Sequence, residues 1–192
     1  MRICVYGASS NRIEQKYIAE TEEFGRILVR RGHSVVCGAG AQGLMGAVQR
    51  GAHEAGGEIV GIVPYFFKEV DGALFDACTE LIFTENMRDR KKLMEDRSDA
   101  FVVTPGGIGT FDEFFEMLTL KQLDRHDKPI VVYNMFGYYD ALEEMIAVSI
   151  QNRFVNASCK ELYAVLNTAD EVLRYLETYK PGVRGTRYYK SI

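Results

Sequence analysis

Short apolar runs that do not alternate with polar residues recur along this chain, and they limit its fold more than any other feature. They are Ile3-Cys4-Val5-Tyr6, Ser34-Val35-Val36-Cys37, Glu58-Ile59-Val60-Gly61-Ile62-Val63, Leu81-Ile82-Phe83, Ala100-Phe101-Val102-Val103 and Ile130-Val131-Val132-Tyr133. A strand with one wet face alternates, whereas a continuous run suits a strand covered on both faces by helices. Amphipathic stretches fill the intervals, near residues 15–31, 43–55, 86–97, 108–124 and 137–151. Thr168-Ala169-Asp170-Glu171 is a capping box that opens a last helix through Leu173 and Leu176. The expected fold is α/β, a Rossmann-like doubly wound parallel sheet flanked by helices. The length of 192 residues suits one domain with a full core. That domain is expected over 1–180, with a basic, solvated tail at 181–192.

Composition narrows the partners. A net charge of −4 gives no general attraction to nucleic acid or to an anionic membrane. No apolar run approaches the ~18 residues of a spanning helix, and Met1 leads straight into a strand rather than a signal peptide. Cys4, Cys37, Cys78 and Cys159 lie far apart without a CxxC pair or zinc spacing, as expected of reduced thiols in a cytoplasmic protein. His33, His53 and His126 form no ligand pattern, so no metal is expected.

In a sheet of this kind, ligands bind outside the carboxyl ends of the strands. Three glycine-rich segments follow such ends: Gly7-Ala8-Ser9-Ser10, "CGAGAQGLMG" (37–46) and "PGGIGT" (105–110). Together they suggest a floor of backbone N–H groups at helix N-termini, with an anion such as phosphate as the natural guest. Gly38, Gly40 and Gly43 spell a literal GxGxxG, but after the second strand instead of the first. An NAD site would also need an acid about 20 residues further on, and Glu58 is near that distance. A GxxxxGK[ST] loop is absent from the sequence, which argues against ATP or GTP hydrolysis.

Opposite charges flank the third segment. Thr110-x-x-Glu113 reads either as a capping box or as a carboxylate one turn from a bound phosphate. The second reading needs the helix to begin near Gly107, with Asp112 and Glu113 within reach of sugar hydroxyls. In "NMRDRKKLM" (86–94), Arg90 and Lys91 share the face marked by Met87 and Met94, while Arg88 and Lys92 point elsewhere. An inward guanidinium needs an acid or a phosphate; otherwise Arg90 snorkels to the surface.

"PGGIGTFDE" and "MRDRK" resemble the PGGxGTxxE and MxxRK signatures of the LONELY GUY (LOG) family. "VYGASS", "GAGAQGLMG", "SDAFVVTPGG" and "HDKPIVVYNMFGYYDAL" are similar to family segments in the same order. The resemblance implies a phosphoribohydrolase acting on cytokinin riboside 5′-monophosphates, without pyridoxal phosphate or another cofactor. It implies Arg90 and Glu113 as the catalytic pair. Nucleotide contacts would come from Glu69, Lys91, Thr119 and the loop Gly106, Gly107, Ile108, Gly109, Thr110, Phe111 and Asp112, with Ser9 and Gly40 from the first two loops. It also implies a homodimer whose subunits help close each other's sites. "LKQLDRHDKP" stands where the family commonly has a tryptophan-containing stretch near the base, which leaves the base open. A carrier that binds a nucleotide or pterin without cleaving it is the alternative on the same scaffold.

Overall fold

A computed structural model describes residues 1–70 and 72–182. Its elements are β1 (Arg2–Tyr6), α1 (Gln15–Arg30), β2 (Ser34–Cys37), α2 (Gly43–Glu54), β3 (Ile59–Pro64), β4 (Glu80–Thr84) and α3 (Met87–Asp96). β5 (Ala100–Val103), α4 (Ile108–Gln122), β6 (Ile130–Tyr133), α5 (Asp140–Gln151), β7 (Ala164–Leu166) and α6 (Ala169–Thr178) follow. The seven strands form one sheet in the order β4-β3-β2-β1-β5-β6-β7, and every pairing is parallel. The order reverses between β1 and β5, so their carboxyl ends open the crevice where such sheets take ligands.

Both faces of the sheet are covered, which is why its strands read as unbroken apolar runs. Ile3, Val5, Val35, Cys37, Ala100 and Val102 pack on one side with Phe24 and Leu28 of α1, Val48 of α2 and Leu173 of α6. Their chain neighbours Cys4, Tyr6, Val36, Phe101 and Val103 pack on the other with Met94 of α3, Phe114 and Met117 of α4 and Ile146 of α5. The six expected strands are present, with end differences of a residue or so. β7 was not anticipated: it has three half-buried residues at the sheet edge. The Thr168–Glu171 capping box forms as expected. The tail expected at 181–192 lies, from residue 183 onward, outside the described residues.

Candidate active site

β5 delivers the chain to the crevice, and the next turn sets up the helix behind it. Thr104 N–H donates to Tyr6 O (2.9 Å), and Ala8 N–H donates to Pro105 O (3.0 Å), tying the two central loops together. α4 begins at Ile108 with Gly107 at its N-cap and no side-chain cap. Glu113 therefore does not close a capping box with Thr110, which sits buried inside the first turn. Among the described residues, the N–H groups of Gly107, Ile108 and Gly109 have no hydrogen-bond acceptor. They are the orphan donors of a helix start, at its positive end.

The glycines beside these donors are informative. A Cβ at Gly106 would collide with the Thr110 side chain, so packing alone explains that residue. A Cβ at Gly107 or Gly109 would have no neighbour within 4 Å, and neither residue has a positive φ. The folded chain does not itself require glycine at those two positions. Both line the cleft, where a side chain would stand between the backbone donors and a ligand.

Arg90 reaches the same cleft from α3. Asn86 caps that helix by accepting from the N–H groups of Arg88 (2.9 Å) and Asp89 (3.0 Å), which fixes its start and thus its inward face. Arg90 is only 6% exposed. Its Nη1 donates to Glu113 Oε1 at 2.8 Å, and its Nε donates to Ile62 O at 3.1 Å. The guanidinium lies against Gly38, where an added Cβ would strike it. Glu113, 8% exposed, has its carboxyl pushed up by burial and pulled back part of the way by Arg90, with a net rise above the usual range. A buried ion pair is weak evidence of stability, because desolvation offsets the attraction. Its position in a cleft wall beside free backbone donors points to chemistry instead.

The cleft, about 650 Å³, brings together Ser9, Gly40, Arg90, Asp112, Glu113 and the turn 107–110. Its apolar wall, unforeseen from sequence, is Met45 of α2, Val63 of β3, Met87 of α3 and Phe67, Val70 and Leu74 from the β3–β4 connection. Among the described residues no group of three or more His, Cys, Asp or Glu could hold a metal, and the four cysteines are free.

The second glycine-rich loop plays a different part from the third. At the start of α2, Gly43 N–H donates to Asn11 Oδ1 (2.7 Å), while Leu44 (2.8 Å) and Met45 (3.2 Å) donate to Ala8 O. Those donors are spent inside the protein and are not free to hold a pyrophosphate. Glu58 directly precedes β3, at the opposite edge of the sheet from the cleft, so it cannot serve a ribose there. The GxGxxG match is thus a packing device, and the NAD alternative fails on geometry.

A family model described as "Possible lysine decarboxylase" matches residues 45–176. An Arabidopsis thaliana protein named cytokinin riboside 5′-monophosphate phosphoribohydrolase LOG5 is 36% identical over 182 residues, covering 94% of this chain and 78% of its own. A protein from Oryza sativa subsp. japonica named probable cytokinin riboside 5′-monophosphate phosphoribohydrolase LOGL5 is 37% identical, covering 94% of this chain and 73% of its own. This chain belongs to the LOG family. The fold is also that of the molybdenum cofactor carrier protein of Chlamydomonas reinhardtii, with a TM-score of 0.70 at 21% identity over 93% of this chain and 98% of that one. A likeness at that identity concerns the fold alone.

The other positions implied by the LOG resemblance fall outside the cleft lining. Gly106 is buried beneath the turn, and the half-buried Phe111 packs edge-on against the core residue Tyr139, ring centroids 6.4 Å apart. Lys91 bridges two helices instead, with Nζ 2.9 Å from Asp112 Oδ2 and 2.6 Å from Glu116 Oε2. Glu69 is exposed beside the cleft-lining Val70. Thr119 is exposed on α4, about 16 Å along the helix from its start.

Proposed function

We propose that this LOG-family chain hydrolyses the N-glycosidic bond of a purine nucleoside 5′-monophosphate, a cytokinin or adenosine ribotide, to free base and ribose 5-phosphate. The observation that carries this reading is the pairing, in one cleft, of unoccupied N–H donors at Gly107–Gly109 with the buried Arg90–Glu113 pair. The donors and helix dipole hold the 5′-phosphate. The sugar then lies one helical turn on, near Glu113. As the C1′–N bond breaks, the electron pair leaves with the base and the sugar takes on oxocarbenium character. The Glu113 carboxylate stabilises that charge and orients the attacking water, which gives its hydroxyl to C1′ and a proton to the departing base. Arg90 holds Glu113 in place; a guanidinium is a poor proton donor, so its role is to orient.

We also propose a cytoplasmic homodimer. α5 supports this, since Ile146 is its one fully buried residue while Met145 and Val148 are about half exposed, and Phe154 just beyond is more exposed still.

Product analysis tests the function. Purified protein without added metal, NAD or pyridoxal phosphate is expected to release adenine from AMP or an N6-substituted AMP. Adenosine should be a far poorer substrate, because it lacks the anchor that positions the sugar. Equal rates on AMP and adenosine would refute the phosphate site. Tight nucleotide or pterin binding with no turnover would favour a carrier.

A further inference from the structure

We infer that Tyr138 is a positioning residue whose hydroxyl locks the Gly106–Gly107 peptide so that the Gly107 N–H faces the cleft. Three successive carbonyls of the turn are each held from behind. Tyr139 Oη donates to Thr104 O (2.8 Å), Ala8 N–H to Pro105 O (3.0 Å) and Tyr138 Oη to Gly106 O (2.7 Å). In a planar trans peptide the C=O and N–H point in opposite directions, and no peptide among the described residues is cis. Fixing the Gly106 carbonyl therefore aims the Gly107 N–H. This unit has glycine on both sides, so no Cβ resists a flip of its plane. Among the described residues, Tyr138 is the one donor to that carbonyl.

The turn after β6 is shaped to bring Tyr138 to this point. Phe136 (φ 54°) and Gly137 (φ 75°) are both left-handed, a conformation that strains a phenylalanine and is free to a glycine. The Tyr138 ring is steadied edge-on by Tyr17 at 6.1 Å and Tyr139 at 5.0 Å. Tyr138 is nevertheless 41% exposed, so losing its hydroxyl leaves the core intact. Its effect on substrate rests on the phosphate site proposed above, whereas its effect on the loop does not.

The test is Tyr138→Phe, with Tyr163→Phe, which loses a hydrogen bond to Glu143 (2.6 Å) away from the cleft, as control. Amide NMR of the 15N-labelled protein should show the Gly107 signal shifted or broadened in Tyr138→Phe alone. Calorimetry should show ribose 5-phosphate bound about two- to tenfold more weakly, the scale of one hydrogen bond. With AMP, KM should rise by a similar factor while kcat stays near the parent value. A parent-like Gly107 signal with parent-like affinity overturns the inference, as does lost turnover with Gly107 unmoved. If the parent does not bind ribose 5-phosphate but Gly107 still moves in the variant, the lock stands and the phosphate site falls.

Discussion

Replacing Arg90 by alanine leaves Glu113 in the cleft wall, 8% exposed, without its cation. An unpaired carboxylate there escapes the desolvation cost by taking up a proton. From an unfolded value of about 4.3, protonation at pH 7 spans about 2.7 pH units at about 1.36 kcal/mol each. Because burial already raises Glu113 in the parent, the expected destabilisation is at most about 3.7 kcal/mol, against about 3–5 kcal/mol for breaking a buried pair. The sign follows from linkage. In the variant, Glu113 binds its proton more tightly folded than unfolded, so stability falls as pH rises above the unfolded value. Urea unfolding of parent and Arg90→Ala should thus show a gap that narrows between pH 7 and pH 5, by at most about 2.7 kcal/mol, since Glu113 in the parent carries a shift of the same sign held back by Arg90. In Arg90→Ala/Glu113→Gln this narrowing should vanish. Arg88→Ala, at an exposed position on the same helix, should stay within about 0.5 kcal/mol of the parent. A gap of equal size at both pH values would mean that lost packing, not a stranded carboxylate, is the cost.

Glu113→Gln should melt below the parent, since Arg90 keeps an amide acceptor but loses its counter-charge, yet stay folded at the assay temperature and lose turnover by on the order of 10² or more. Parent activity should decline on the acid side above the usual carboxylate range, because burial raises Glu113 and the working form is ionised; a limb at the ordinary value would contradict this. Gly107→Ala should fold with unchanged melting, as its methyl has no neighbour, but bind ribose 5-phosphate about tenfold or more weakly by calorimetry. Gly38→Ala should instead lower both melting temperature and turnover, because its methyl would meet the Arg90 guanidinium.

The sheet was legible because burial on both faces leaves a mark in every strand. β7 escaped because Ala164, Val165 and Leu166 are few and only half buried. Arg90 was legible through its spacing from Met94, which is core, although Met87 at the other end of that stripe overlooks the cleft. The apolar wall was not: Phe67, Val70 and Leu74 come from an irregular connection, where no periodicity tells an inward residue from an outward one. The separate parts of the two glycine-rich loops also needed coordinates. Glycine content reveals where a backbone can approach something closely, but not whether that something is ligand or protein.

Ala8 gives this arrangement an unusual genetics. Its N–H holds the turn after β5 through Pro105, and its carbonyl receives two donors from the start of α2. Two walls of the cleft are thus joined through the main chain of one small residue, whose side chain forms neither link. Alanine scanning, which deletes side chains, would pass over this position entirely. The junction becomes visible only to changes in the main chain itself, such as proline or an ester in place of the Ala8 amide.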